Sequence, residues 1–369
     1  MRNNIRDTFF SVIGTADIER IHSAVIGWML SDKCGAFSNK EKSTLINKLF
    51  KTEDKVVYKN IEPKLEYDHI DIFIETVSEN NIKQNWIIEN KIKSSQGKNQ
   101  LSNYKTKHPN ANYLLLSLIG ENGDDGWVEN TYAELYSILN GILDKCNKEN
   151  LRHITIIEEY VDTLQTLVTI VEEFIKAPEK YANVFTECSK KKSEKQSQHE
   201  NKICEYISHS NLETILQKLY FTKIKSDIQK DVENEIKKKI GNTIRWEISE
   251  SHGNAQIVIL IDGENNTQFE IAFQGGKFKF AVSKDYQKKE KDDSFIKEWI
   301  TSLQKIKDDK VFDYIKLNLP RSRSRVSVSK ECQINNSKIW WQNPLSDVTE
   351  QVKEQFCLLP KLIEIASKS

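Results

Sequence analysis

Tyr113 to Ile119 reads YLLLSLI, seven residues with Ser117 as the one clearly polar member. The run is far shorter than the roughly 18 apolar residues of a membrane span, and too apolar to lie half in water. It predicts a strand buried on both faces. A sheet covered on both sides constrains its other strands, because any charge carried into it must be paired or held against a metal. Two candidate neighbours precede the run. His69–Val77 (HIDIFIETV) and Gln84–Ile92 (QNWIIENKI) are rich in β-branched and aromatic residues and are separated by a turn containing Ser-Glu-Asn-Asn. They read as consecutive antiparallel strands, and each carries charge in its middle.

Around them the hydrophobic periodicity predicts a helix from Ile18 to Leu30, with Asp17 as its N-cap, and a second from Asn39 or Ser43 to Phe50. Lys55–Ile61 reads as a short strand stopped by Pro63. A helix over Gln96–Lys107 ends at Pro109-Asn110, a loop carries Gly120, Gly123 and Gly126, and helices follow over Tyr132–Lys145 and Ile154–Lys176. The order helix, three strands, helix, strand, helix describes an α/β sandwich with a mixed sheet.

The polar, cationic stretch CSKKKSEKQSQ from Cys188 marks a boundary, giving a first domain over 1–185, a linker over 186–200 and a second domain over 201–369. In the second domain, helical patterns over Asn201–Lys239 lead into four alternating segments: Thr243–Ser249, Gln256–Asp262, Gln268–Gln274 and Lys277–Ser283. Gly253, Asp262-Gly263 and Gly275-Gly276 punctuate them, which predicts an antiparallel meander. Helices near Ser294–Ile306 and Val348–Ser367 complete an α+β domain.

With 369 residues and 38% hydrophobic content the chain can build two cores, whereas 54 Lys plus Arg against 54 Asp plus Glu leave no net charge to attract a polyanion. Nucleic-acid binding must therefore come from a local patch. No apolar run suits a signal peptide or a membrane span, so the expected setting is the cytoplasm, with no membrane partner. Cys34, Cys146, Cys188, Cys204, Cys332 and Cys357 are scattered, without Cys-x-x-Cys or a close Cys/His pair, which points away from disulfides and structural zinc.

The strand pair concentrates the chemistry. Glu89 and Lys91 are i and i+2, so both project from one face about 7 Å apart, alongside Ile87. If the hairpin pairs in register, Asp71 reaches the same spot, bringing two carboxylates and an ammonium together. Two hard oxygen ligands suit Mg²⁺, with Mn²⁺ able to stand in, rather than zinc. Lys91 could then orient or deprotonate a water and stabilise charge developing on a phosphate.

Asp71 followed by Glu89-x-Lys91 resembles the PD-(D/E)XK nuclease superfamily, and Ile88-Glu89-Asn90-Lys91-Ile92 is similar to the Ile-Glu-Asn-Lys core of its bacterial branch. Gln100-Leu101-x-x-Tyr104 resembles the Gln-x-x-x-Tyr motif of that group, and Glu19-x-x-His22-Ser23 its acidic first-helix motif. The likeness covers about residues 10–170. Ile70 stands where the superfamily's name has a proline. The resemblance implies a restriction-endonuclease-like core in which Asp71, Glu89 and the Asn90 main-chain carbonyl hold the metal, with Glu19 as a further ligand or a residue that orients water from the first helix. It makes Lys91 the catalytic lysine, Gln100 and Tyr104 a brace for the lysine and the substrate phosphate, His22 a neighbour of the cleft and Glu62 an auxiliary acid.

Other signals are weaker. Arg321, Arg323 and Arg325 alternate with serines behind Pro320 and could follow a nucleic-acid backbone, or line a solvated loop. Trp340, Trp341, Trp246, Phe269, Phe273, Phe278 and Phe280 read as core in preference to base-stacking platforms. His69 and His108 are given no role. The expected function is thus Mg²⁺-dependent phosphodiester hydrolysis, on DNA by resemblance and in the setting of bacterial phage defence. RNA cleavage and a catalytically weak nucleic-acid or protein binding module are the alternatives. A homodimer or an activating protein partner would help a neutral chain hold a polyanion.

Overall fold

The computed structural model describes residues 7–52, 56–92, 100–121, 123, 125–146, 149–185, 198–241, 244–251, 254–284, 292–308, 312, 316–318, 324–334 and 340–367. Thr8 and Ser38 open α1 (Phe9–Val12) and α3 (Asn39–Leu49) through reciprocal capping boxes with Ser11 and Glu41. Between them α2 (Glu19–Leu30) has no such cap. The N-cap position falls on extended Ile18, one residue after the expected Asp17, which is buried.

β1 (Tyr58–Tyr67), β2 (Ile70–Ser78) and β3 (Lys83–Lys91) form an antiparallel meander. Pro63 does not stop β1, which runs four residues beyond it. The reason lies in the strand order β1-β2-β3-β4-β5: β1 is an edge strand, where a proline removes no ladder hydrogen bond. After α4 (Gln100–Lys107), β4 (Ala111–Ser117) and β5 (Val128–Thr131) add in parallel. β4 is the expected doubly covered strand, with Leu114, Leu115 and Leu116 fully buried. The four-residue β5 is too short to show as periodicity. The expected helix start at Gln96 lies outside the described residues, and the helix is formed from Gln100 on. α5 (Tyr132–Leu143), α6 (Leu151–Lys176) and α7 (Gln198–His209) complete the helices of this half.

Contacts divide the chain into two units, one comprising Met1–Glu173 with Ser197–Leu212, the other Phe174–Gln196 with Glu213–Ser369. Most of the expected linker, residues 186–197, lies outside the described residues. In the second unit α8 (Glu213–Ile240) buries Tyr220, Phe221, Ile224, Ile228, Val232 and Ile236 at helical spacing. It packs on β7 (Asn254–Asp262) of a six-stranded sheet, with β6 (Ile244–Ser251), β8 (Thr267–Gln274) and β9 (Lys277–Lys284) forming the expected meander. α9 (Asp293–Asp308) is followed by β10 (Lys316–Asn318) and β11 (Arg325–Glu331), which extend the sheet beyond β9 and were not foreseen. The expected single C-terminal helix is two, α10 (Leu345–Phe356) and α11 (Leu359–Ser367), broken at Cys357–Leu358 ahead of Pro360.

Phe273 stacks on Phe278 at 4.7 Å between centroids, and Trp340 meets Phe273 edge-on at 5.0 Å. Phe273, Phe278 and Trp340 are core, as expected, whereas Trp246 and Trp341 are half-buried. Gly276 in the β8–β9 turn has φ +72°, and a Cβ there would fall 2.5 Å from the Trp340 ring, so the tight turn and the indole packing both call for glycine. The chain is mixed α/β, with two sheets flanked by helices. No helix among the described residues is long and apolar enough to cross a membrane.

Candidate active site

The register of the first sheet decides which side chains meet. Ile72 pairs with Ile88 and Phe73 with Ile87, and one step further the same register sets Asp71 across from Glu89. In the parallel pair, Glu89 lies beside Leu115 and Lys91 beside Ser117. Side chains alternate faces along a strand, so Phe73, Ile87, Tyr113 and Leu115 form one apolar layer, packed against Leu101 and Tyr104 of α4 and against Trp127. Asp71, Glu89 and Lys91 continue that layer at its end.

There the packing gives way to a polar knot. Lys91 Nζ lies 2.6 Å from Glu89 Oε1, and Gln100 Nε2 donates to the same oxygen at 2.7 Å. Glu89 is 1% exposed and Lys91 7%. Among the described residues, no hydrogen-bond partner reaches the other carboxylate oxygen, Glu89 Oε2, which is buried. Asp71 Oδ2 accepts from Asn90 N at 2.8 Å, and Glu19 Oε1, reaching from the first turn of α2, accepts from Ile92 N at 2.8 Å. Gln100 also donates to the Tyr104 hydroxyl at 3.0 Å, and that hydroxyl donates to the His69 carbonyl at 2.6 Å.

Electrostatics follow from this crowding. Burial raises the Glu89 carboxyl, the Asp71 charge raises it further, and Lys91 pulls it back, leaving it at about 7. Asp71 is likewise raised, by burial first and then by Glu19 and Glu66, against the opposing Asn90 N–H and Lys91 ammonium. For Lys91, burial works against the charge, but the carboxylates of Glu89, Glu19 and Asp71 together outweigh it and hold the ammonium above its ordinary value. Lys91 is therefore placed here as a cation and a hydrogen-bond donor.

Asn90 works on the opposite face. Its Nδ2 donates to the Glu19 carbonyl at 3.1 Å and to Ser23 Oγ at 3.2 Å, while its Oδ1 accepts from the Tyr132 hydroxyl at 2.8 Å. One side chain thus ties α2 and α5 to β3 behind the carboxylates. Asn90→Ala strips the buried Tyr132 hydroxyl of its acceptor and is expected to lower unfolding stability by about 2–4 kcal/mol in urea titration. His22, expected beside the cleft, is instead 1% exposed in the core. Its Nε2 donates to the Ala16 carbonyl at 2.9 Å and its Nδ1 accepts from the Tyr160 hydroxyl at 3.1 Å, with burial lowering its pKa to about 4. It is a neutral structural residue.

The knot thus gathers Asp71, Glu89, Lys91 and Gln100, with Glu19 at the end of β3 and Tyr104 on the turn before β2. Glu62 stays outside, exposed on β1 opposite Glu75. Glu66, across from Asp71 by the β1–β2 register and felt by it electrostatically, went unforeseen, because nothing in the sequence distinguishes it from other surface acids. Arg321 and Arg323 lie outside the described residues. Arg325 stands in β11 with its guanidinium on Glu270 at 2.9 Å.

No group of three or more His, Cys, Asp and Glu side chains placed to hold a metal occurs among the described residues. A cation at Asp71 and Glu89 would have two carboxylates and would complete its shell with main-chain and solvent oxygens, as Mg²⁺ readily does. Glu89 Oε2 fits that role, since a buried acceptor with no donor among the described residues is stabilised by a hard cation. Comparison with known proteins adds no relative: no family model, no curated protein and no solved structure matches the chain.

Proposed function

We propose that the chain is a metal-dependent nuclease that hydrolyses phosphodiester bonds, with DNA as substrate and Mg²⁺ as cofactor. The observation that carries the reading is the division of labour on Glu89: Oε1 is clamped by Lys91 and Gln100, while Oε2 is buried with no hydrogen-bond partner among the described residues. A helix, an antiparallel three-stranded meander, a helix and a parallel strand, with Asp71 opening the second strand and Glu89 and Lys91 closing the third, resemble the restriction-endonuclease-like core that the motifs imply.

In this reading Asp71 and Glu89 hold the cation. When bound, it supplies positive charge to the scissile phosphate and acidity to a water. Lys91 keeps its proton on Nζ and directs it at a non-bridging phosphate oxygen, where a fixed ammonium is worth most as charge develops. Gln100 fixes the Glu89 carboxylate so that one oxygen faces the cation. Glu19 holds the end of β3 through Ile92 N, which keeps Lys91 in line with Glu89.

Supercoiled plasmid, linear duplex, single-stranded DNA and RNA, each incubated with the protein in Mg²⁺, Mn²⁺ or EDTA, test the reading. Cleavage of DNA in either metal and none in EDTA is the expected result. Preference for RNA would move the substrate class. Folded protein that binds nucleic acid and cuts none would favour a binding module, a reading supported by the Lys91–Glu89 pair being closed on itself.

A further inference from the structure

The turn joining β1 to β2 is unusual. Tyr67 pairs with Ile70, leaving Asp68 and His69 as a two-residue hairpin turn, and both have positive φ, 53° and 67°. Glu66, just before it, is also left-handed at φ 53°. Such a turn favours Asn-Gly or Asp-Gly, because glycine alone enters this region without a steric penalty. A histidine at the second position stores strain, and strain persists only where the surroundings enforce it.

The enforcing contacts come from a single helical row. Gln100, Tyr104 and His108 are spaced by four residues along α4 and its last turn, where His108 N still bonds to the Tyr104 carbonyl at 2.9 Å. Gln100 grips Glu89. The Tyr104 hydroxyl donates to the His69 carbonyl at 2.6 Å. His108 Nε2 stands 3.4 Å from Asp68 Oδ2, an electrostatic contact rather than a formed hydrogen bond, and the His108 ring lies 5.2 Å from that of Phe73. The row therefore touches the strand that carries Glu89 and the turn that delivers Asp71 two residues later.

We infer that Gln100, Tyr104 and His108 are positioning residues that set the two carboxylates relative to each other, with Tyr104 holding the strained Asp68–His69 turn and, through it, Asp71. The inference rests on the reading of Asp71 and Glu89 as a cation site. It goes beyond that reading in giving the Gln-x-x-x-Tyr helix a mechanical task on the backbone of the turn instead of a contact to substrate.

Tyr104→Phe keeps the ring in its apolar layer and removes only the hydroxyl. In metal-free protein the amides of residues 67–71 are expected to exchange with solvent about tenfold faster than in wild type, with other β-strand amides unchanged. Mn²⁺ affinity, read by electron paramagnetic resonance, is expected to fall about tenfold, as when an outer hydrogen bond to a ligand is lost. Adding His69→Gly makes the turn Asp-Gly, which adopts positive φ unaided, and is expected to restore both readouts. Tyr104→Phe with wild-type exchange and affinity would overturn the inference, as would failure of His69→Gly to restore them. If wild type binds no Mn²⁺, the cation reading falls, while the exchange contrast still decides whether Tyr104 holds the turn.

Discussion

Lys91→Ala is expected to reduce DNA cleavage by about a thousandfold or more, the scale on which removal of a fixed charge-stabilising donor acts. The same change should also destabilise the protein in a manner that depends on pH. Lys91 Nζ is the only cation within ion-pair distance of Glu89 among the described residues. Breaking a buried pair on one side leaves an uncompensated charge, worth about 3–5 kcal/mol when the survivor must stay ionised. Glu89 has an escape, because its pKa is already raised to about 7 by burial and by Asp71. Without Lys91 that pKa rises further.

A carboxyl whose folded pKa lies above its unfolded value gives stability that is complete below about 4.5 and lost as pH climbs through the folded pKa. Lys91→Ala should therefore be close to wild type in urea unfolding at pH 5, and weaker by about 2–4 kcal/mol at pH 8. A flat difference across that range would mean that Lys91 and Glu89 are not coupled. Unchanged cleavage would mean that the active site lies elsewhere.

What was legible in the sequence is what depends on local periodicity. The alternation in His69–Val77 and Gln84–Ile92 gave the hairpin, and the i, i+2 spacing put Glu89 and Lys91 on one face. The four-strand meander of the second unit was equally plain, because turn residues separate its segments. Features set by tertiary context were not. Pro63 reads as a stop until β1 is seen to be an edge strand. β11 starts at Arg325, the last of the Arg321–Arg325 run, whose charge obscures strand periodicity. His22 sits four residues before Ile26, on the inner face of α2 with Ser23, Met29 and Leu30, whereas the apolar spacing of Ile21, Ala24, Val25 and Trp28 marks a half-buried face. Neither the buried Glu89 Oε2 nor the hold of Tyr104 on the His69 carbonyl leaves any trace in residue spacing.

Asp71→Asn should separate function from stability, with opposite signs. Asparagine keeps an oxygen to accept from Asn90 N, so the backbone link of β2 to β3 survives. What it removes is a carboxylate whose pKa is raised by burial and by its neighbours Glu19 and Glu66, and whose charge also raises Glu89. A raised carboxyl costs the folded state as pH rises through its folded pKa, so the gain from neutralising it appears above that pKa and vanishes below the unfolded value near 3.8. In EDTA at pH 8 the variant is expected to be more stable than wild type by about 1 kcal/mol, the common result of dismantling a functional charge cluster. Cleavage should fall by about a thousandfold or more.

Metal then inverts the ranking. A cation that binds only the folded protein adds RT ln(1 + [M]/Kd), about 2.7 kcal/mol at one hundred times Kd, and the variant with one ligand carboxylate missing gains far less. Wild type should therefore overtake Asp71→Asn as Mg²⁺ is raised. The crossing point would report the affinity of the site without any substrate. If the two titrations stay parallel, Asp71 is a half-buried acid with no cation to hold, and the crowding of carboxylates around Glu89 needs another explanation.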